Sequence, residues 1–274
     1  MMKYNPSTYS WEMNPEGKYA YGATCVKVCP DHLLKDNGAC VRSCPPNKKN
    51  NNRGECVPCD GPCPKNCQGV DVVHAGNIDT FKECTIIEGS LTILDTSFEG
   101  FQEVYPNFTF GPRHPRMHPD RLEVFSTLKQ VTGFVSIQAS HPDFKNLSYF
   151  RNLEEIGGRQ LTEYFAALYI VKTSLVSLNL RALKKVRAGS VAILENKDLC
   201  FAKSIDWKKV RRSNTHSILL QSNGDEDSCR IKGLVCDPQC ASDGCWGPGP
   251  DECLSCRSYK LGDTCIEGCN TSQG

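Results

Sequence analysis

The ordering of apolar and polar positions is clearest in the middle of the chain. "LKQVTGFVSI" (128–137), "LEEIGG" (153–158) with "FAALYIV" after it, and "LKKVRAGSVAIL" (183–194) share one phrase. The phrase is Leu, two polar residues, Ile or Val, then Gly before a short β-rich run. Its leucines recur after 25 and then 30 residues. Alternation in "GFVSIQ" and "GSVAIL" predicts strands, and the glycines permit the turn before each. A leucine-rich period in the twenties predicts a solenoid whose coils stack strands into parallel sheets. Helices are expected over 119–129 and 204–210.

Cysteine changes the picture at both ends. Nine of the 18 cysteines lie in residues 1–84, none in 85–199, and nine in 200–274. Two stapled regions therefore flank a middle that must hold itself together by hydrophobic burial. In the first region "CVKVCP" (25–30) returns as "CVRSCP" (40–45), and "CIEGC" (265–269) keeps the Cys-x3-Cys spacing. Gly, Asn, Asp and Pro fill the intervals as turn formers. Units of this size cannot bury a core alone, so each needs a bridge and a stacked neighbour. The repeat makes Cys29–Cys40 and Cys44–Cys56 the simplest closures, although connectivity stays open from sequence. The run Cys56-x2-Cys59-x3-Cys63-x3-Cys67 has zinc-like spacing, but paired knuckles with helical histidines are absent. Cysteine density of this kind belongs to an oxidising compartment, and disulfides are the reading.

Charge and length exclude more than they identify. The 274 residues carry a net charge of +1, so no strong field favours nucleic acid or an anionic membrane. No window approaches 18 apolar residues, and no basic start with an apolar run marks a signal peptide. A disulfide-rich chain lacking both is expected to be a piece of a longer secreted or membrane protein. No phosphate-cradling glycine loop or nucleophile elbow appears. The histidines suggest no catalytic triad and no metal-binding helix; neither a metal nor a cofactor is expected.

Several stretches together resemble the epidermal growth factor receptor family, in an invertebrate-like form: "YNPSTY", "NPEGKYAYGATCVK", "GPCPKNC", "LEVFSTLKQVTGF", "NKDLCFA", "IDWKK" and "GCWGPGPDECLSC". The resemblance covers essentially the whole chain. It implies a mainly β fold: a right-handed, leucine-rich β-solenoid of the receptor L type, flanked by disulfide-rich furin-like modules. The implied domains are a cysteine-rich part (1–66, with a dimerisation arm at 4–18), the L domain (67–235), and the start of a second cysteine-rich domain (236–274). It further implies the bridges Cys59–Cys63, Cys67–Cys84, Cys200–Cys229, Cys236–Cys245, Cys240–Cys253 and Cys256–Cys265, which leaves Cys25 and Cys269 without partners.

The resemblance also assigns surfaces. Tyr4, Asn5, Pro6 and Tyr9 would form the arm that grips a second receptor, and Tyr21 and Arg42 would line the partner's groove. Trp11 stands where the family often has a small or polar residue. The chain begins inside the first strand of the arm, so fraying is expected there. An epidermal-growth-factor-like protein ligand would meet Leu94, Thr96, Gln138, Tyr164, Phe165 and Ala192. Glu103 and Tyr105 resemble an acidic-x-aromatic pair that receives a growth-factor arginine, since a carboxylate can take a guanidinium bidentately. Trp246 would plug the last coil of the solenoid.

This implies an extracellular receptor segment that binds a growth factor and pairs receptors, with no catalysis of its own. The parent protein would be a transmembrane tyrosine kinase, and this segment would touch neither membrane nor nucleic acid. The alternative is a secreted decoy or structural module that does not signal. Asn107, Asn146 and Asn270 head glycosylation sequons. The basic run at 208–212 is expected to be a solvated face, and Cys253-x2-Cys256 lacks the setting of a redox motif.

Overall fold

The computed structural model describes residues 2–14, 17–211 and 216–269. The chain forms two compact units, Met1–Pro64 and Lys65–Gly274.

In the larger unit the repeated phrase builds two parallel sheets. One has the strand order Lys185–Val186, Glu155–Ile156, Gln130–Val131, Ile86–Glu88 and Asn66–Gln68. The other has the order Leu91–Leu94, Val135–Gln138, Ala166–Val171, Ser190–Leu194 and Ile218–Gln221. Four successive passes of the chain each add a strand to both sheets, while Asn66–Gln68 enters only the first and Ile218–Gln221 only the second. The phrase now has a structural meaning: its Val131, Ile156 and Val186 are buried in the first sheet. The run after the glycine enters the second. There Ile93, Ile137, Ile170 and Ile193 stand in register and are all fully buried. A one-residue slip would turn this whole apolar ladder outward, so burial fixes the register. At Gly133 a Cβ would come within 2.0 Å of Ser90 Oγ, so only glycine lets the passes close up there.

The expected helices are 3-10 rather than α. Pro119–Thr127 is a long 3-10 segment, and 204–210 holds only the short turn Trp207–Lys209, preceded by Ala202–Ser204. Leu122, Phe125 and Leu128 explain the first case. They are buried at a spacing of three, which matches three residues per turn better than 3.6. Phe125 stacks on Phe150 and meets Phe81 at a tilt, with ring centroids 5.1 Å away in both contacts.

The smaller unit is held differently. Its only buried apolar residues among those described are Cys29 and Leu33. Short hairpins such as Tyr19–Tyr21 with Thr24–Val26 are tied by Cys29–Cys40, Cys44–Cys56 and Cys59–Cys63. Bridges here stand in for a core. The larger unit carries Cys67–Cys84, Cys200–Cys229, Cys236–Cys245, Cys240–Cys253 and Cys256–Cys265. Cys25 and Cys269 are free and exposed.

Residues 236–269 pack onto the larger unit's core. Trp246 is 1% exposed and meets Trp207 edge to face at 5.5 Å. Its carbonyl accepts from Asn179 N–H at 2.9 Å, and its own N–H donates to the Glu252 carbonyl at 2.8 Å. The Glu252 side chain is buried there, and its Oε2 has no hydrogen-bond partner. Burial, with the neighbouring Asp251 charge, pushes its carboxyl up to about 7; Arg181 and a hydrogen bond with Asn179 oppose this. The folded chain thus holds this proton more tightly than the unfolded chain does. Its stabilising effect is complete below the unfolded value and is lost as pH rises through about 7. Thermal unfolding of the wild type and Glu252→Gln at pH 5.5 and 7.5 should show a wild-type loss of stability that the variant lacks. Equal pH slopes would show that Glu252 is not the group responsible.

Candidate functional site

The second sheet ends in a continuous surface. Leu94 and Gln138 are the last residues of adjacent strands and stand side by side in register. Both are half-buried, and Gln138 Nε2 donates to Ser136 Oγ at 3.1 Å. After Leu94 the chain turns directly into the short helix Asp95–Glu99, which exposes Thr96. Leu94 N–H donates to Ser97 Oγ and holds that turn. Gly100 then opens the antiparallel hairpin of Phe101–Val104 with Phe110–His114. Its tip exposes Val104, Tyr105, Phe108 and Phe110, the last two by 89% and 77%. Exposed apolar side chains grouped on one hairpin mark an interaction surface rather than a core.

The base of this hairpin holds a cluster that the sequence did not announce. The pairing shifts register between Gln102 and Val104, and Glu103 sits at that irregularity. Such bulges re-aim a side chain. Glu103 Oε1 lies 2.6 Å from His114 Nε2. The His74 ring stacks on His114 at 3.8 Å between centroids, and Phe101 edges onto both rings. Burial holds the His74 imidazole below its usual value; His114 adds to this and Glu103 opposes it. His114 and His118 do stand four apart, yet Pro115 and Pro119 exclude a helix between them. His118 turns elsewhere, its Nε2 2.9 Å from Asp143. No short-range spacing could have linked His74 to residues some 30 and 40 positions away.

The remaining ligand candidates fall elsewhere. Tyr164 is 99% exposed at the opposite end of the sheet from Leu94 and Gln138, on a turn where Glu163 and Tyr164 both have positive φ. Phe165 is half-buried and edges onto Tyr169 at 6.3 Å. Ala192 is corrected: it has no exposed surface, standing in register between Tyr169 and Leu219, so it offers a ligand nothing.

In the smaller unit, strands Met2–Asn5 and Ser10–Met13 pair antiparallel through four positions. Tyr4 faces Trp11 across the strands with an edge contact at 5.5 Å, which gives Trp11 a local role. Asn5 Nδ2 donates to Glu12, and Pro6 and Tyr9 lie in the connecting turn, with Tyr9 83% exposed. Tyr21 and Arg42 are also exposed.

Asn107 lies exposed in the hairpin turn, its Oδ1 accepting from Thr109 Oγ1 at 2.5 Å. Asn146 is half-buried, and Asn270 lies outside the described residues. In the basic run Lys208 and Lys209 are exposed and Arg211 is half-buried. Lys209 pairs with the buried Asp243 at 2.8 Å; Arg212 lies outside the described residues. Cys253 and Cys256 bond to other partners and not to each other.

Known sequence families cover most of the chain. The furin-like cysteine rich region matches residues 2–68, the receptor L domain 83–211, and growth factor receptor domain IV 235–274. The epidermal growth factor receptor of Apis mellifera is 68% identical over 269 residues, 98% of this chain. That of Drosophila melanogaster is 56% identical over 270 residues, also 98% of this chain. The chain belongs to the epidermal growth factor receptor family. The human receptor tyrosine-protein kinase erbB-4 is 38% identical over 282 residues, 99% of this chain. The chain spans about a fifth of the length of these receptors, 21%, 19% and 21% respectively. It corresponds to ectodomain segments of the family and contains no kinase domain. Homology to those ectodomains implies an extracellular location. Among the described residues no helix is long and apolar enough to cross a membrane.

Proposed function

We propose that this chain is the part of a growth-factor receptor that binds an epidermal-growth-factor-like protein ligand through its L domain and pairs receptors through its arm. The ligand surface runs from Leu94 and Gln138 across Thr96 to Glu103 and Tyr105. The observation that carries this reading is the continuity of the sheet end with a hairpin whose apolar side chains are exposed. Aromatic groups give large contact area at low entropic cost, and interface energy concentrates on them. Tyr164 and Phe165, at the far end of the same sheet, would form a second contact. Tyr4, Asn5, Pro6 and Tyr9 would meet Tyr21 and Arg42 of a second receptor, each chain offering both halves of a two-fold contact. We read the two parallel sheets as walls of a right-handed β-solenoid and keep the domain limits at 1–66, 67–235 and 236–274. Cys25 and Cys269, free in this structure, would pair with cysteines elsewhere in the parent protein.

Glu103 is the most direct test. If its carboxylate takes a ligand arginine, Glu103→Lys places repulsion against that cation, whereas Glu103→Gln removes only the attraction. An epidermal-growth-factor-like protein titrated onto the immobilised chain should bind Glu103→Gln more weakly than the wild type, and Glu103→Lys more weakly still. Affinity unchanged by charge reversal would remove Glu103 from the surface.

A further inference from the structure

We infer that His74, Glu103 and His114 form a binding site for a divalent transition-metal ion of the zinc class at the base of the exposed hairpin. One ligand atom from each residue can be chosen so that all three lie within 4.8 Å of one another. Three elements bring them together. His74 sits in a loop fastened by its N–H donating to Asn77 Oδ1 and by Val73 N–H donating to the Thr92 carbonyl of the second sheet. Glu103 and His114 come from the two strands of the hairpin. Gly76 permits the approach: a Cβ there would come within 2.9 Å of His114 Nδ1 and 3.0 Å of the His74 ring.

Donor chemistry selects the ion. Two imidazoles and one carboxylate, with no thiolate, suit zinc and its neighbours; calcium and magnesium prefer oxygen ligands throughout. Three protein ligands leave a fourth position for solvent. A tetrahedral ion with bonds of about 2.1 Å sets its ligand atoms roughly 3.4 Å apart. The Glu103–His114 pair, 2.6 Å apart around a shared proton, would open by under about 1 Å as the ion replaces that proton. The stacked imidazoles would slide apart to aim their lone pairs at one point. The Gly76 N–H now donates to His74 Nδ1 at 3.0 Å and would give up that bond as the ring turns. Half-burial keeps the ligands reachable from solvent, and Phe101 backs both rings with an apolar wall.

The ion would claim the carboxylate proposed above for a ligand arginine, so ion and growth factor would compete for Glu103. The site itself rests on its own geometry, and its test needs no growth factor. The 274-residue chain, with its two free thiols alkylated, is titrated with Zn²⁺ by calorimetry, and with Co²⁺ by visible absorption. The wild type should take up one ion. His74→Ala and His114→Ala should each weaken binding by roughly a hundredfold or more, above the loss seen when only a supporting partner is removed. Glu103→Gln keeps the shape but not the anion and should weaken it less. His118→Ala, on a histidine paired with Asp143, should bind as the wild type does, and Ca²⁺ should not compete. Circular dichroism of each variant before titration separates loss of ligands from loss of fold. If the wild type takes up no ion, if His74→Ala and His114→Ala bind Zn²⁺ as the wild type does, or if only His118→Ala loses it, the site is refuted.

Discussion

Trp246→Ala should lower the stability of the larger unit by about 3–5 kcal/mol, the range for truncating a fully buried aromatic side chain. Its neighbour Cys245 belongs to a small cluster with Cys200, Phe201 and Cys229, whereas Trp246 itself belongs to the main core. The tryptophan therefore packs with the main core of the larger unit and not with that cluster. A terminal pass of a stacked structure has no next neighbour and must be covered by something else. The backbone on both sides of the indole is fixed by Asn179 and Glu252, so it cannot easily collapse into the void. That places the cost at the upper part of the range, since cavities that do not collapse are the costly ones. Trp246→Phe should lose less. Thermal unfolding followed by circular dichroism should show a drop on the order of 10 °C for the alanine variant. If it melts with the wild type, Trp246 packs only within its own module.

Much of the architecture was legible because burial and register leave marks in sequence. The Leu-x-x-Ile/Val phrase, with a glycine shortly after it, places Val131, Ile156 and Val186 in one sheet and the runs after the glycines in the other. Strands of only two residues such as Gln130–Val131 carry no alternation to detect, so the first sheet is legible from the leucine period and not from local pattern. The 3-10 form of Pro119–Thr127 was not foreseen. Its Leu122–Phe125–Leu128 spacing also fits one face of an α-helix, and only the packing of Phe125 against Phe81 and Phe150 distinguishes them. Ala192 was assigned by resemblance, which carries a position over without telling whether its neighbours cover it here. The His74–Glu103–His114 cluster was invisible because a loop, a bulge and a strand end make it, and none of these has a sequence period.

Asn196→Leu should also cost about 3–5 kcal/mol, although Asn196 touches no proposed ligand or partner. Its side chain is completely enclosed and fully bonded. Oδ1 accepts from Thr173 N–H at 2.9 Å and Thr173 Oγ1 at 2.7 Å; Nδ2 donates to the Ile170 carbonyl and to Asn223 Oδ1, both at 3.0 Å. Three consecutive passes leave the second sheet in the same way. Val171-Lys172-Thr173, Leu194-Glu195-Asn196 and Gln221-Ser222-Asn223 each hold a central residue with φ between +52° and +57°. Ordinary side chains resist that left-handed conformation. The polar third residues bond from pass to pass, which holds the turns and satisfies backbone groups that the bend removes from the sheet. Leucine repeats the branched skeleton of asparagine with bulkier methyl groups, so Asn196→Leu leaves no cavity and any crowding adds to the cost. It does orphan the Thr173 N–H and the Ile170 carbonyl, each costing about 1–3 kcal/mol when buried without a partner. Asn196→Asp would keep the Oδ1 bonds but set an acceptor against the Ile170 carbonyl and bury a charge, so it should be no milder. Chemical denaturation of the three chains decides between bonding and packing. If Asn196→Leu unfolds at the wild-type denaturant concentration, the polar ladder does not hold the turns, and packing of the isoleucines alone sets the spacing of the passes.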